Sequence, residues 1–219
     1  MNDKLKKDFL KACKLGDIST VKSIVEAFSS AASIKEIKDL ITTGVGVSCL
    51  GGKLEVIDYL LVQNKFSEYI DIENSYFLEH ACMASQLETV KYLLTNGNLK
   101  EHCDIHLNND SAVTTAAYNY NFDVICYLLK SPDLKTHANL YVEDGQLLRL
   151  ACIKKKFELI DFLLLECDME LNEELVDYIQ IPHREGFKYA ASVYHSRELQ
   201  KQLENNLENN TKILSKNKV

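Results

Sequence analysis

A fourteen-residue pattern recurs five times along the chain, in copies that begin at positions 12, 48, 81, 116 and 151. Successive copies are therefore separated by 36, 33, 35 and 35 residues. Each copy opens on a pair of small residues and ends on apolar residues at helical spacing. The copies are ACKLGDISTVKSIV, SCLGGKLEVIDYLL, ACMASQLETVKYLL, AAYNYNFDVICYLL and ACIKKKFELIDFLL. A fixed period of this length predicts a chain built as a stack of small units.

Each unit of the array is typical of a pair of helices. In the third unit, Ala81 and Cys82 lie on one face of a first helix, and Leu87, Val90 and Leu93 form the apolar stripe of a second. Neither helix can bury its apolar face alone, whereas stacked neighbours bury both. The repeats therefore predict an all-α fold.

Four of the seven cysteines occupy the same position of the repeat, where the fourth unit has Ala117. They are Cys13, Cys49, Cys82 and Cys152. A position that alternates between Cys and Ala is expected to pack a small apolar side chain. Cys126 and Cys167 have no neighbouring histidine or glycine-rich turn that would lower a thiol pKa, so the sequence offers no cysteine nucleophile.

The second-helix segments LEVIDYLL, LETVKYLL and FDVICYLL resemble the second helix of ankyrin repeats, and the turns CDI at 103–105 and ANL at 138–140 resemble turns of that family. The resemblance covers roughly residues 5–170. The usual Thr-Pro-Leu-His opening of the first helix is replaced by SAVT at 111–114 and QLLR at 146–149. The resemblance implies an all-α, ankyrin-like solenoid of about five to six helix-turn-helix repeats with degenerate terminal caps.

Four segments are expected from this pattern. Residues 1–35 form an N-terminal capping repeat, residues 36–170 the central repeats, residues 171–204 a degenerate C-terminal repeat or cap, and residues 205–219 a polar tail, helical or frayed. The segment 186–203 is interpreted as a worn sixth helix pair, with Ala190 as part of its small pair.

The segment EHCDIH at 101–106 contains His102, Cys103, Asp104 and His106, which are all residue types that bind zinc or iron. When it is aligned with the next repeat, only His102 recurs, as His137. We interpret His102 and His137 as loop residues that bond the backbone of a nearby turn, and Asp104 as a turn former. No metal site is predicted.

The glycine-rich segment TTGVGVSCLGGKLEV at 42–56 resembles a phosphate-binding loop only superficially. That motif requires glycine at position 47 and a hydroxyl at position 54, where the chain has Val47 and Leu54. We interpret the glycines as close helix packing and a tight turn. No cofactor is expected, and since no nucleophile, base and oxyanion donors come together in the pattern, neither is an enzyme.

The net charge of −7 disfavours a nucleic-acid partner, and no apolar run approaches the length of a membrane span. We expect a cytoplasmic protein without a secretory signal. The resemblance implies a non-enzymatic module that binds a partner protein through its concave face and blocks or sequesters it. Divergent arrays of this kind look like those of intracellular bacteria, phages and large DNA viruses, which implies a factor directed at a host or at a defence system, in the host cytoplasm.

The positions that follow the small pair vary from repeat to repeat, and the resemblance implies that they face the partner. The predicted partner-binding residues are Lys14, Met83, Tyr118, Asn119, Ile153 and Lys154, with Asn108 and Asp144 at the tips of the turns. Apolar and aromatic residues at such positions suit the hot spot of an interface.

Two alternatives remain open at the C-terminal end. Small-molecule or nucleotide binding, or catalysis, would use the polar residues of the irregular 166–200 region, which are His183, Arg184, Glu185, Tyr189, Tyr194 and His195. Leu199, Leu203 and Leu207 recur at near-helical spacing, so the final helix either packs on the cap or joins a partner or a second copy, which would make a homo-oligomer.

Overall fold

A computed structural model describes residues 3–29, 32–74, 76–171, 175 and 185–216, with the side chains of the last helix described as far as Leu207. Within these residues the secondary structure is helical, without a strand. The chain divides into two compact units, residues 1–139 and 140–219. The all-α prediction is therefore confirmed.

The first unit consists of four helix pairs. Its helices are α1 (Asp3–Leu15), α2 (Ile18–Ser29), α3 (Ile34–Gly51), α4 (Leu54–Asp58), α5 (Phe77–Met83), α6 (Leu87–Thr95), α7 (Leu107–Tyr118) and α8 (Phe122–Lys130). A π-helical turn, Tyr59–Gln63, continues α4, and a 3₁₀ turn, Ser67–Tyr69, follows it. Helix α3 opens on a capping box in which Ser33 and Glu36 satisfy each other's backbone N–H groups.

The two helices of each pair are joined by a turn with one left-handed residue. In the first two pairs this residue is a glycine, Gly16 with φ 81° and Gly52 with φ 63°. In the next two it is Ser85 with φ 58° and Tyr120 with φ 59°. Side chains at positive φ cost energy, so the turn geometry is imposed by the packing of the pair even where glycine is absent.

The core of the first unit lies between consecutive first helices, which pack α1 on α3, α3 on α5 and α5 on α7. The predicted small positions lie in these contacts, since Cys49, Cys82 and Ala117 are completely buried. At Gly44, an added Cβ would lie 2.6 Å from Cε1 of Phe9. The close packing expected of the glycines in α3 is thus confirmed.

The second unit contains α9 (Val142–Ile153), α10 (Phe157–Asp161) with a π-helical continuation (Phe162–Glu166), and α11 (Glu185–Lys216). The left-handed residue between α9 and α10 is Lys155, with φ 55°. The prediction of a worn sixth helix pair at 186–203 is wrong, because α11 is one helix of 32 residues. Phe187 and Ala190 are buried, and Gly186 lies so close to the Cys152 carbonyl that a Cβ there would clash.

Candidate functional site

Large apolar side chains are exposed at the carboxyl ends of the first helices in the first unit. Leu15 is 64% exposed, Met83 43% and Tyr118 54%. Close before them in the three helices, Cys13, Cys82 and Ala117 are completely buried in the helix stack, so the exposed side chains stand on packed backbone. The polar neighbours Lys14 and Asn119 are exposed as well. The surface consists of apolar groups with a polar edge, which is the composition of an interface centre and rim.

Side chains from the following repeat fix the turns that present this surface. Asn121 Nδ2 donates to the carbonyl oxygens of Cys82, 2.5 Å away, and Met83, 3.3 Å away. Gln86 Nε2 donates in the same way to the Leu50 carbonyl oxygen at 3.5 Å. These bonds supply donors to carbonyl groups in the last turn of a helix, where the usual donor four residues further on is missing.

The sequence did not lead us to predict this capping role, although it contains a signal for it. Gln86 and Asn121 are 35 residues apart and immediately precede a second helix, where a polar residue occurs in every repeat. Lys53 holds the equivalent position, and its side chain lies against Gly16 and Gly51 of the preceding turns. A polar residue conserved in register but not in type indicates a bond to backbone rather than to a particular side chain.

A groove of about 470 Å³ lies between α3 and α5, on the first helices of the second and third repeats. Its walls include Val47, Leu50, Tyr76 and His80. A Cβ on Gly46 would approach His80 Nδ1 to 2.9 Å, so the glycine makes room for the imidazole. The groove has the size of a small-ligand or side-chain pocket and mostly apolar walls.

His80 lies among the polar residues of this groove, together with Thr42, Thr43 and Asn74. The Nδ1 atom of His80 is buried and has no hydrogen-bond partner in the described part of the chain. Burial lowers the pKa of His80, and the nearby Glu79 carboxylate opposes the shift. A neutral imidazole suits a groove that receives an uncharged group.

The predicted tips of the turns adopt an unusual backbone. Asn108, Asn109 and Asp110 all have φ between 51° and 57°, and Glu143, Asp144 and Gly145 have φ of 46°, 54° and 83°. Asn108 and Asp144 are exposed, as expected of tip residues. Asn108 Nδ2 lies 3.3 Å from Glu79 Oε1, which ties the tip to α5.

Ile153 and Lys154 belong to the second unit, where Ile153 is 42% exposed and Lys154 is exposed. All eight predicted partner-binding residues are thus at the surface. Exposure is necessary for a contact and does not identify one, so their role stays a prediction.

The residues of the segment EHCDIH, at 101–106, have separate structural roles. His102 Nε2 lies 3.1 Å from the Asn96 carbonyl oxygen, and His137 Nε2 lies 2.8 Å from that of Ser131, which confirms the repeated loop bond. Asp104 accepts the His106 N–H at 2.8 Å, as a turn former does. Cys103 is buried. Among the described residues, no group of three or more His, Cys, Asp or Glu is arranged to hold a metal ion.

The polar residues of the 166–200 region are engaged in different places. Glu185 pairs with Lys155 at 2.7 Å, and Tyr189 donates to the Asp161 carboxylate at 2.9 Å. Tyr194 stacks under the Arg197 guanidinium, 4.9 Å from its ring centre. His183 and Arg184 lie outside the described residues. The described members of this set therefore stabilise α11 through separate contacts.

Burial also accounts for the chemistry of the repeat cysteines. It raises the pKa of Cys13 and Cys152 to about 12, and that of Cys49 and Cys82 well above the ordinary value. These thiols are protonated at neutral pH and are core side chains.

Among the described helices, each is too short or too polar to cross a lipid bilayer.

Helix pairs joined by a left-handed turn and stacked through small residues, with variable exposed helix ends, define a helical repeat protein. Residues 78–174 match the family model of ankyrin repeats, in three copies. Residues 78–174 therefore contain ankyrin repeats. The match does not extend to the first two helix pairs, which have the same inter-helix turn. No curated protein matches the chain. Ankyrin repeats are in general protein–protein interaction modules.

Proposed function

We propose that this protein binds a partner protein through the exposed carboxyl ends of its first helices and blocks or sequesters that partner. In the first unit the binding surface comprises Met83, Tyr118 and the groove between α3 and α5. Lys14 and Asn119 supply its polar rim. In the second unit, Ile153 and Lys154 are candidate contacts of their own.

The observation that carries this proposal is the exposure of Met83 and Tyr118 on backbone that is otherwise fixed. Their exposed fractions, 43% and 54%, belong to residues that follow completely buried neighbours. Asn121 bonds the carbonyl groups of the turn that presents Met83. A partner that covers these side chains gains apolar burial and loses little backbone entropy, which favours binding.

The groove adds a specific requirement on the partner. It is large enough for one or two apolar side chains, and burial lowers the pKa of its histidine, which favours the neutral imidazole. An uncharged, apolar anchor from the partner is the group that fits, because a charged one would be desolvated without a counter-charge.

The experiment is affinity capture of partner proteins from cytosolic lysates with the wild type and with a Met83→Ala, Tyr118→Ala variant. Tyr69→Ala is the matched control, since Tyr69 is 41% exposed but lies in the 3₁₀ turn after α4. We expect the double variant to lose the partner and the control to keep it. Dissociation constants for the captured protein should rise at least about tenfold in the double variant.

Equal capture by wild type and double variant would contradict the proposed surface. Absence of any captured protein would favour the small-molecule alternative.

By analogy with the divergent arrays that these repeats resemble, we extend the proposal to a host- or defence-directed factor that acts in the cytoplasm. A captured protein of the producing cell's own housekeeping machinery would contradict that extension.

A further inference from the structure

The sequence contains one Asn-Gly pair, Asn96–Gly97, and it lies where α6 ends. The Asn96 N–H bonds the Tyr92 carbonyl oxygen at 3.1 Å and so closes the last turn of the helix. Gly97 and Asn98 are exposed, and Asn96 is half-buried. Asparagine is thermolabile, because the backbone nitrogen of the next residue can attack its side-chain amide. A following glycine hinders that attack least, since it has no side chain.

Three hydrogen bonds hold the loop closed around Asn96. Its Oδ1 accepts the Asn98 N–H at 2.8 Å, as in an Asx turn. Its carbonyl oxygen accepts the Leu99 N–H at 3.1 Å and lies 3.1 Å from His102 Nε2. In this closed form Asn96 has ψ 115°, which turns the Gly97 nitrogen away from the Asn96 side chain. The attack therefore requires the loop to open and the peptide between Asn96 and Gly97 to rotate.

The loop can open without unfolding the repeat. Gly97 has free space around it, since an added Cβ would meet no atom within 4 Å. Glycine also gives the rotating peptide a wide range of backbone angles. Exposed loops that few hydrogen bonds hold open locally at a small cost in free energy, far below the cost of unfolding the core. The Gly97 nitrogen can therefore reach the Asn96 side chain in the folded protein.

The next repeat shows what this loop requires. Ser131 holds the equivalent position 35 residues later, and its Oγ accepts the Asp133 N–H at 3.3 Å. His137 Nε2 lies 2.8 Å from the Ser131 carbonyl oxygen, as His102 Nε2 lies beside that of Asn96. Both loops are closed by the same bonds, although serine has no amide to lose. The reactive amide at position 96 is thus a property of the Asn-Gly pair, and the fold requires only an acceptor there.

We propose that Asn96 is a site of spontaneous deamidation, which proceeds in the folded protein through local opening of this loop. The Gly97 nitrogen bonds Asn96 Cγ, the Cγ–Nδ2 bond breaks, and ammonia leaves with the proton of the Gly97 nitrogen. Water then opens the cyclic imide. Addition of water at Cγ gives aspartate, and addition at the Asn96 backbone carbonyl carbon gives isoaspartate, in which the chain runs through Cγ.

The two products affect the loop differently. Aspartate keeps an oxygen that can accept the Asn98 N–H. Isoaspartate inserts a methylene group into the backbone and displaces the carbonyl group that Leu99 and His102 bond, so it opens the loop after α6. Both products add one negative charge. The modification is independent of the proposed partner surface, which consists of other residues.

The test is peptide mapping by mass spectrometry on the full chain during incubation in mildly alkaline buffer. We expect Asn96 to convert before Asn98, which is exposed as well but is followed by the bulky Leu99. In Gly97→Ala the conversion of Asn96 should slow at least about tenfold, because the added methyl group hinders the attack. This variant should keep the circular dichroism of the wild type, since its Cβ meets no atom within 4 Å.

His102→Ala measures the contribution of loop opening. It removes one bond that closes the loop and should speed the conversion of Asn96 by about two- to tenfold, the factor that one hydrogen bond contributes to such an equilibrium. His137→Ala is the matched control, because it removes the equivalent bond of the next repeat and should leave the rate at Asn96 unchanged.

The proposal makes the rate depend on this loop alone. It would be overturned if Asn96 stayed intact while Asn98 converted, or if Gly97→Ala converted as fast as the wild type. An unchanged rate in His102→Ala, or an equal acceleration in His137→Ala, would also overturn it, because general unfolding would then set the rate.

Discussion

Arg197 Nη1 donates a hydrogen bond to the carbonyl oxygen of Leu164, 2.7 Å away, and so joins α11 to the end of the preceding π-helical turn. The same nitrogen donates to the Met169 carbonyl oxygen at 3.0 Å and pairs with Asp168 at 3.1 Å. The guanidinium is buried, with 8% of its residue exposed. One side chain thus caps a helix end and fixes the loop that follows it.

Replacement of Arg197 by alanine should destabilise the second unit by about 2–4 kcal/mol, because buried carbonyl groups lose a charged donor. Urea denaturation followed by circular dichroism measures this loss. Lys201→Ala is the control, since Lys201 binds the same Asp168 but in solvent, where ion pairs contribute little. An equal effect of both substitutions would show that the capping bonds are unimportant.

Gly44 and Gly97 form a matched pair for testing the close packing of first helices. Gly44→Ala places a Cβ 2.6 Å from the Phe9 ring and should cost about 1–3 kcal/mol through overpacking. Gly97→Ala meets no atom within 4 Å and should be neutral or slightly stabilising. Thermal unfolding of the two variants measures the difference, and similar melting temperatures would contradict the packing argument.

Asp110 is a buried carboxylate in the left-handed turn before α7. Its Oδ1 accepts the Asn139 N–H at 2.9 Å and lies 2.9 Å from His106 Nδ1. Asp110→Ala should cost about 1–3 kcal/mol, since the part-buried N–H of Asn139 loses its acceptor and alanine disfavours positive φ. Asp110→Asn keeps an acceptor oxygen and tolerates the backbone, so it should cost clearly less in urea denaturation. The reverse order would show that charge, not geometry, sets the role of Asp110.

The buried thiols predict a loss of stability in alkaline solution. Burial raises the pKa of Cys152 from its ordinary value of 9.0 to about 12. Between these values the unfolded chain releases a proton that the folded chain keeps, so the unfolding free energy falls as pH rises. The fall is about 1.4 kcal/mol per pH unit for each such group.

Cys152→Ala isolates this contribution, because the equivalent residue of the fourth repeat is already alanine, Ala117. Denaturant unfolding between pH 9 and about 12 should show a shallower decline in the variant than in the wild type. Identical slopes would mean that the Cys152 thiol ionises equally in both states.

Much of the fold was predictable from local pattern. The small pairs at Cys49, Cys82 and Ala117 are buried as expected, and His102 and His137 bond the loop backbone as their shared register indicated. The candidate surface at Met83 and Tyr118 also followed from variation between repeats. These features depend on contacts within a repeat or with its neighbour, which recur with the period of the sequence.

The capping amides of Gln86 and Asn121 and the groove beside His80 were not predicted. The amides bond the backbone of the preceding repeat, and the groove lies between two repeats. The periodicity of apolar residues carries no information about such contacts. At the C-terminal end, the same periodicity led to a helix pair where α11 is one continuous helix. The helical spacing of Leu199, Leu203 and Leu207 was predicted correctly, but these leucines lie on an exposed face of that helix.

The sequence by itself therefore determined the repeat, its helix pairs and its buried small positions, because apolar periodicity and side-chain size are encoded residue by residue. Only the tertiary structure decided that Lys155 and Tyr120 adopt left-handed turns, that Arg197 caps a neighbouring helix, and that α11 is one continuous helix. Packing imposes these features against local preference, since the free energy of burying a whole helix face exceeds the cost of one strained residue.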